Sequence, residues 1–197
     1  MKVIGLTGSI GMGKSAVAAM LRRLHVPVFD ADAAVHQLQG PGGALLSAIE
    51  ASFPGTTGPR GVDRAKLGAM VLGNDDEMRL LEGIVHPAVG AMRRRFLRRN
   101  RSRKLVVLDI PLLFETKGAK AMDSVIVVSA PHLVQRHRVL RRPGMTEEKF
   151  RQILARQVPD RVKRAGADHI IETARPKWQS LAALRRVITC LRGGPVR

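Results

Sequence analysis

The sequence is poor in the residues that build disulfide frameworks, membrane spans and base-stacking surfaces. Its 197 residues include one cysteine, no tyrosine, one tryptophan and five phenylalanines. A single cysteine excludes an internal disulfide, and we interpret Cys190 as a small buried or half-buried apolar group near a C-terminal helix. No apolar run approaches the roughly 20 residues that cross a bilayer, and the run at Val3–Leu6 is too short for a signal peptide. We therefore expect a cytoplasmic protein with no membrane partner.

Acidic residues are also scarce, and the resulting net charge of +18 has two explanations. Arginine supplies 25 of the 34 basic residues and is spread over most of the chain, as a general compositional bias produces. A basic surface also attracts the phosphates of nucleotides, coenzymes or nucleic acids. The densest run, Arg93–Lys104, contains no aromatic residue besides Phe96, which disfavours a stacking platform for single strands. We expect a solvated helix face that helps hold an anionic substrate and no specific nucleic acid; a dedicated nucleic-acid site is the alternative.

Short apolar runs alternate with helical patterns along most of the chain. Apolar residues make up 45% of the sequence, which is enough for a packed core. Strands that alternate with helices predict an α/β fold with a parallel, doubly wound sheet. Because Pro27 lacks an N–H group, we expect its strand to lie at an edge of the sheet. The predicted strands are Val3–Leu6, Val26–Phe29, Leu105–Asp109, Val125–Val128 and His169–Ile171.

The segment between the second and third predicted strands has a different character. From about Asp32 to Arg103 it shows no convincing strand, and Gly/Pro-rich loops divide it into helical patterns. We interpret His86–Pro87 as a break between helices. The sequence predicts a nucleotide-binding core made of residues 1–31 and 104–197, with a helical insertion over residues 32–103. Only Gly193–Arg197 reads as a loose tail.

The strongest motif is Gly8–Ser15, which matches the phosphate-loop pattern G-x-x-x-x-G-K-[ST] in full. It follows a predicted strand and opens a predicted helix, the context in which this pattern binds nucleotide phosphates. We expect Lys14 to reach the β- and γ-phosphates of ATP and the Ser15 hydroxyl to ligate Mg²⁺. The motif does not identify the group that receives the phosphate. The predicted phosphate contacts are Gly8, Gly11, Met12, Gly13, Lys14 and Ser15.

Three aspartates follow predicted strands, at the sheet edge where open α/β folds bind their ligands. Asp30 or Asp32 could orient an attacking hydroxyl or accept its proton. The alternative is that an aspartate here caps the N-terminus of the next helix. Asp109 could bind Mg²⁺ through water or hold Ser15, and its alternative role is to cap a turn at the strand end.

A cluster of arginines precedes the helix-breaking pair Pro143–Gly144. Mobile lids of phosphoryl transferases bring guanidinium groups onto the phosphates, because arginine is always charged and donates in a fork. In so basic a chain, each of these arginines is equally well explained as a surface residue. The cluster consists of Arg136, Arg138, Arg141 and Arg142.

Together these segments resemble dephospho-CoA kinases, which phosphorylate the ribose 3′-hydroxyl of dephospho-coenzyme A. The resemblance runs in family order across nearly the whole chain, and the run Asp109–Glu115 is more specific than the phosphate loop. The similar stretches are Ile4–Ser15, Asp30–Asp32 with His36, His86–Pro87, Asp109–Glu115, Gly144–Thr146, Ala155–Gln157, Lys163 and Ala167–Asp168.

The resemblance implies a P-loop NTPase-type three-layer fold with a five-stranded parallel sheet, a helical substrate-binding insertion and a lid at about residues 136–146. It further implies ATP as co-substrate with Mg²⁺, ATP contacts along Gly11–Ala16, and dephospho-coenzyme A as the acceptor. Asp32 matches the proposed catalytic base, Lys14 and Ser15 serve the phosphates and the metal, and lid arginines, Arg142 among them, neutralise the transferring group.

Two positions depart from the family pattern. Ala16 stands where members often carry a second hydroxyl residue, so Ser15 must serve the metal alone. Thr173 stands where many relatives carry Asn, which leaves the contact with adenine open. The phosphate loop by itself is also compatible with a kinase for another small anion, such as a nucleoside monophosphate or shikimate, or with a nucleotide-binding nucleic-acid protein. The sequence carries no signal for oligomeric state.

Overall fold

The computed structural model describes residues 1–193; residues 194–197, which belong to the predicted loose tail, lie outside the described part. No helix within residues 1–193 is both long enough and apolar enough to cross a membrane. The strands are β1 Lys2–Thr7, β2 Val28–Asp30, β3 Thr57–Gly58, β4 Gly61–Val62, β5 Leu105–Asp109, β6 Ser124–Ser129 and β7 His169–Glu172. The α-helices are α1 Lys14–Arg23, α2 Ala31–Gln39, α3 Leu46–Ser52, α4 Arg64–Val71, α5 Asp75–Arg99, α6 His132–Leu140, α7 Glu147–Ala155, α8 Asp160–Ala165 and α9 Lys177–Leu191, and Gly118–Ala121 forms a 3₁₀ turn.

Five strands form the central sheet in the order β2-β5-β1-β6-β7, which confirms the predicted five-stranded parallel sheet. β2 lies at an edge of the sheet, as predicted from Pro27, which directly precedes it. The carbonyl of Pro27 accepts a hydrogen bond from the N–H of Val107 at 2.9 Å, so Pro27 serves the sheet as an acceptor only. β1 lies between β5 and β6, with Leu6 opposite Asp109 and Thr7 opposite Val127. The loop after β1 therefore leaves the middle of the edge where parallel sheets bind ligands.

Apolar side chains are buried on both faces of this sheet. On β6, Ile126 and Val128 belong to the cluster that contains residues of α1 and α9. Val125 and Val127 belong to a second cluster, together with Leu113. Successive residues of a strand point to opposite faces, so β6 is covered on both sides and reads as a continuous apolar run. This is the three-layer arrangement that the resemblance implied.

Cys190 lies in α9 and is exposed, so the expectation that it is buried or half-buried is wrong.

The described chain divides into two units. The core unit contains Met1–Phe29 and the chain from Asn100 onward, and the helical unit contains Asp30–Arg99. The helical unit has an apolar cluster of its own, in which Ile49 and Phe53 are fully buried. Helices α3, α4 and α5 contribute to it. A role of the helical unit in substrate binding stays a prediction.

One strand pair in the helical unit was not predicted. β3 and β4 form an antiparallel hairpin, so the expectation of no strand between Asp32 and Arg103 is wrong at this point. Strands of two residues carry no alternating pattern, and the Gly/Pro turn that joins them reads as a loop. The Glu50 carboxylate fixes the approach to the hairpin, because it accepts the N–H of Thr57 at 3.0 Å and its hydroxyl at 2.6 Å. The Thr57 hydroxyl lowers the pKa of Glu50.

Helix α5 runs through Pro87, so the predicted break at His86–Pro87 is wrong. A proline inside a helix removes one backbone hydrogen bond and crowds the carbonyl four residues earlier, at a cost of about 3 kcal/mol. Helix α5 packs against α2, α3 and α4, and Ile84 is among the side chains it places on the cluster around Ile49. Tertiary packing of these partly buried side chains therefore outweighs the local preference that predicted the break.

A buried ion pair joins α8 to the segment that follows β5. Lys163 is fully buried, and its Nζ lies 2.9 Å from Oε1 of Glu115, although off the direction of a well-formed hydrogen bond. The same oxygen accepts the N–H of Val158 at 2.8 Å. Burial raises the pKa of Glu115, but the ammonium of Lys163 and the backbone N–H groups outweigh it and lower that pKa. The ion pair and the Val158 contact fix α8 and the link before it to the segment that follows β5.

Replacing Lys163 with methionine should destabilise the protein strongly, because it leaves the Glu115 carboxylate buried without its counter-charge. We expect a loss of about 3–5 kcal/mol in the free energy of unfolding, measured by urea denaturation. Arg79→Ala removes the exposed ion pair with Asp76 and is the control, with an expected loss below about 1 kcal/mol. A Lys163→Met variant as stable as the control would contradict a structural role for the buried pair.

Candidate active site

The phosphate loop depends on glycine at two positions. Gly11 and Gly13 have φ angles of 77° and 93°, in the left-handed region that other residues avoid. A Cβ on Gly11 would lie 2.5 Å from Cγ2 of Val139, and one on Gly13 would lie 2.9 Å from Oγ1 of Thr173. A larger residue is therefore excluded at both positions, first by the backbone conformation and second by the side chains packed against the loop.

Three successive carbonyls of the loop are held from outside by side-chain donors. The Ile10 carbonyl accepts from Nε2 of Gln135 at 2.8 Å, and the Met12 carbonyl accepts from the Thr173 hydroxyl at 2.5 Å. Between them, the Gly11 carbonyl lies 3.4 Å from Nη1 of Arg138. Within each peptide plane the N–H points opposite to the C=O. Holding these carbonyls outward therefore turns the N–H groups of Gly11 and Gly13 to the opposite side, as a phosphate cradle requires, whereas the N–H of Met12 donates to the Ser9 carbonyl at 3.1 Å.

The N-terminus of α1 is open to an anion. Its N-cap, Gly13, offers no side chain to the first N–H groups, and the first turn contains no acidic residue. Such uncapped N–H groups and the helix dipole favour a negatively charged ligand. Ser15 and Ala16, both predicted contacts, are exposed on this first turn, whereas Lys14 is half-buried. A phosphate at this helix N-terminus therefore stays a prediction that the uncapped N–H groups support.

Two glutamines hold the peptide groups of Ile10 from either side of the predicted lid. Gln135 of α6 donates to the Ile10 carbonyl, and Oε1 of Gln157, just after α7, accepts the Ile10 N–H at 3.1 Å. Gln157 belongs to a stretch that resembles the family. Gln135 was not singled out in the sequence, because a polar residue within a basic amphipathic helix carries no distinguishing pattern. The segment that contains the predicted lid is therefore anchored to the phosphate loop at both of its ends.

Asp109 forms an ion pair with the lysine of the phosphate loop. It is 2% exposed at the end of β5, and its Oδ1 lies 2.5 Å from Nζ of Lys14. The predicted alternatives for Asp109 were a metal-binding role and a turn cap. The structure assigns it a contact with Lys14 in addition to these possibilities. A bound γ-phosphate would compete with Asp109 for the ammonium group of Lys14.

The donor set around the loop fits Mg²⁺ that arrives with ATP. Within residues 1–193 no three His, Cys, Asp or Glu side chains come together as a metal site. Mg²⁺ in nucleotide sites does not need such a cluster, since it takes one or two protein oxygens and completes its shell with phosphate oxygens and water. Ser15 offers an exposed hydroxyl and Asp109 a carboxylate beside Lys14.

Asp30, the last residue of β2, performs the capping role that the sequence left open between Asp30 and Asp32. Asp30 is the N-cap of α2, and its Oδ1 accepts the N–H of Ala33 at 3.0 Å. Asp32 lies in the first turn of α2, is exposed, and lines a cavity of the helical unit. The capping role therefore belongs to Asp30, which leaves the carboxylate of Asp32 accessible to a ligand.

The arginine cluster also separates into different roles. Arg136 forms an ion pair with Glu147 at 2.7 Å, across the turn between α6 and α7. Arg138 donates to the Thr173 hydroxyl at 2.9 Å and to its carbonyl at 2.6 Å. The side chains of Arg141 and Arg142 are exposed beside the turn at Pro143–Gly144. The hydroxyl of Thr173 thus connects Arg138 with the loop carbonyl of Met12, which is a role that the sequence could not assign.

A cavity of about 550 Å³ lies beside the phosphate loop in the core unit. Apolar side chains such as Met12 and Leu154 line it, and a polar network closes one side. In that network Ser129 donates to Asp160 at 2.7 Å, and Arg164 pairs with Glu172 at 2.5 Å. The Glu172 carboxylate raises the pKa of Arg164. The network joins the ends of β6 and β7 to α8.

The chain is similar to known kinases over most of its length. The family model described as dephospho-CoA kinase matches residues 2–176. A relative named dephospho-CoA kinase from Novosphingobium aromaticivorans is 67% identical over 87% of this chain and 85% of its own length. One of the same name from Zymomonas mobilis is 51% identical over 98% of both chains. The crystal structure of TT1252 from Thermus thermophilus is 32% identical, covers 96% of each chain and has a TM-score of 0.82.

Thr173→Val should weaken ATP binding, because it removes the hydroxyl that joins Arg138 to the Met12 carbonyl while it preserves side-chain shape. We expect the dissociation constant of Mg-ATP, measured by calorimetry, to rise about 5- to 15-fold, the equivalent of one net hydrogen bond. Thr173→Ser should restore most of the affinity. Thr116→Val, which removes an exposed hydroxyl bonded to the Leu112 carbonyl, is the control. Equal affinities in all four proteins would show that the loop does not need this support.

Proposed function

The chain belongs to the dephospho-CoA kinase family and is an ATP-dependent kinase, and from this premise we propose that it phosphorylates the ribose 3′-hydroxyl of dephospho-coenzyme A. The products are coenzyme A and ADP. The observation that carries the proposal is the phosphate loop, whose carbonyls are held outward beside an uncapped helix N-terminus. The geometry of the loop supports the binding of ATP, the phosphate donor, and membership of the family supports dephospho-coenzyme A as the acceptor.

The loop and α1 bind the donor. N–H groups along Gly11–Ala16 surround the β- and γ-phosphates, and Lys14 leaves Asp109 to contact the γ-phosphate as ATP enters. Because the γ-phosphate replaces the Asp109 carboxylate, the positive charge of Lys14 has an anionic partner both before and after ATP binds. The Lys14 side chain is 16% exposed, so this exchange takes place where water screens charges poorly.

The Ser15 hydroxyl would hold Mg²⁺ together with the ATP phosphates, and the Asp109 carboxylate, which contacts Lys14, would act on the metal through water. When bound, the ion neutralises charge that builds on the phosphate oxygens. Ala16 adds no second hydroxyl, so Ser15 is the side-chain ligand from the loop. Lys14 and the loop N–H groups provide the remaining positive potential.

Asp32 acts as the general base. The acceptor oxygen attacks the γ-phosphorus, the bond between that phosphorus and the bridging oxygen of ADP breaks, and the hydroxyl proton passes to the Asp32 carboxylate. Two features of the helical unit support this role. Asp30 already performs the capping of α2, and Asp32 is exposed at a cavity large enough for part of a nucleotide.

Arg142 neutralises the transferring phosphoryl group. It is exposed beside Pro143–Gly144, where Gly144 has a φ of 71° that suits a turn. Within residues 1–193 its side chain forms no ion pair or hydrogen bond of the kind that Arg136 and Arg138 form. A guanidinium in this position keeps its charge at every working pH and donates in a fork. Residues 136–146 therefore act as a lid that brings Arg142 onto the phosphates.

An acceptor panel tests the proposed substrate. With Mg-ATP, ADP release should be fast with dephospho-coenzyme A, and its kcat/KM should exceed that for AMP or shikimate by about 1,000-fold or more, since a site built for polar groups rejects acceptors that lack them. The ³¹P spectrum of the product should show a new 3′-phosphomonoester. Lys14→Met should abolish turnover with every acceptor. Comparable rates with AMP or shikimate, or no product from dephospho-coenzyme A, would overturn the proposal.

Asp32→Asn tests the base. The amide cannot accept the proton, so kcat should fall about 100-fold or more, whereas the dissociation constant of Mg-ATP should change less than 2-fold. Asp75→Asn is a matched control, because Asp75 is also an exposed aspartate in the first turn of a helix of the same unit. Near-normal turnover by Asp32→Asn would remove Asp32 from the chemistry while leaving the substrate assignment intact.

A further inference from the structure

The cavity that Asp32 lines contains a second charged group that neither the sequence motifs nor the proposed mechanism uses. The cavity has a volume of about 390 Å³ and lies between α2, α4 and α5 of the helical unit. Val35, Leu67 and Val71 form much of its apolar wall. Asp32 and Arg64 are its acidic and basic lining residues, and His36 lies beside them.

Arg64 is held by a histidine. Nη2 of its guanidinium lies 2.5 Å from Nδ1 of His36, although the two residues are 28 positions apart in the sequence. A guanidinium can only donate hydrogen bonds, so the ring nitrogen that faces it must carry a lone pair. The contact therefore uses His36 as a neutral acceptor and limits the directions in which the Arg64 side chain can point.

Pairing with a neutral ring leaves the charge of Arg64 uncompensated. Among residues 1–193 Arg64 forms no ion pair with a carboxylate, in contrast to Arg79, Arg136 and Arg164. The arginine is thus oriented, and its guanidinium is not held by a carboxylate that an anion would have to displace. A guanidinium that is already oriented also loses less side-chain entropy on binding two phosphate oxygens than a freely moving one does.

We propose that Arg64, oriented by His36, binds the 5′-diphosphate of the acceptor and so selects acceptors that carry this group. The inference rests on the proposed function, because it requires the acceptor nucleotide to occupy the cavity that Asp32 lines. Arg64 is the specificity-determining residue, and His36 is a positioning residue that acts through it.

The spacing along α2 matches the shape of the acceptor. Asp32 and His36 are four residues apart, which places them on the same face of the helix with Cβ atoms about 5–6 Å from each other. The 3′-hydroxyl and the 5′-diphosphate are substituents of one ribose ring. A ribose with its 3′-hydroxyl at Asp32 can therefore direct its 5′-diphosphate toward the arginine that His36 holds, while the apolar wall contacts the uncharged parts of the molecule.

The first experiment measures steady-state kinetics of Arg64→Ala. The KM for dephospho-coenzyme A should rise about 10- to 100-fold, as expected for loss of a charge-assisted contact, with the KM for ATP within 2-fold of wild type. Arg64→Lys keeps the charge but loses the two-pronged guanidinium donor. Its KM for dephospho-coenzyme A should therefore lie between those of the wild type and Arg64→Ala. Lys66→Ala is the matched control, since it removes an exposed cation from the same helix outside this cavity and should change neither constant.

A double-mutant cycle then tests whether His36 acts through Arg64. His36→Ala should raise the KM for dephospho-coenzyme A about 3- to 10-fold in the wild-type background and have no further effect in Arg64→Ala. His36→Gln, whose amide oxygen can still accept from the guanidinium, should recover most of the loss. Equal effects of His36→Ala in both backgrounds would overturn the positioning role.

The outcomes separate this inference from the function on which it rests. If the wild-type protein does not phosphorylate dephospho-coenzyme A, the proposed function fails and the inference fails with it. If the wild type is active but Arg64→Ala leaves the acceptor KM unchanged, or raises both KM values equally, only the inference fails. Thermal unfolding of each variant, compared with Lys66→Ala, distinguishes loss of the contact from loss of the fold.

Discussion

The orientation of three peptide planes in the phosphate loop is the constraint on which the site depends. Glycines permit the turn, but they do not decide which way its carbonyls point. That direction is set by donors on α6 and on the segment after β7, namely Gln135, Arg138 and the Thr173 hydroxyl. Donors that bind the carbonyl of a peptide stabilise the orientation in which its N–H group faces the other way.

The basic side chains of the protein have different kinds of binding partner, and the kind of partner depends on where the side chain lies. Lys163 is fully buried and pairs with the Glu115 carboxylate, since a buried charge without a partner is costly. Lys14 pairs with Asp109 in a contact that a phosphate can replace. Arg138 and Arg64 instead contact neutral acceptors, Thr173 and His36, which orient a guanidinium without cancelling its charge. The scarcity of acidic residues suits a protein whose ligands are phosphates.

Much of the fold and part of the site were predictable. Buried parallel strands read as short apolar runs, and the phosphate-loop pattern carries its own geometry, so both were placed correctly. The errors occurred where the local signal was weak or misleading. The hairpin β3–β4 has strands of only two residues, and Pro87 reads as a break although packing carries α5 through it. The role of Asp30 as N-cap could be named as an alternative but not assigned, because either aspartate fits the pattern.

The sequence by itself determined the class of chemistry: Gly8–Ser15 specifies a phosphate-binding loop because glycine, lysine and serine at those spacings encode a local structure. The order of the motifs indicated the family. Only the tertiary structure decided which side chains hold that loop, since Thr173 and Met12 are 161 positions apart. It also decided that His36 meets Arg64. Contacts of this kind depend on how helices and strands pack, and no periodicity or local preference in the chain records them.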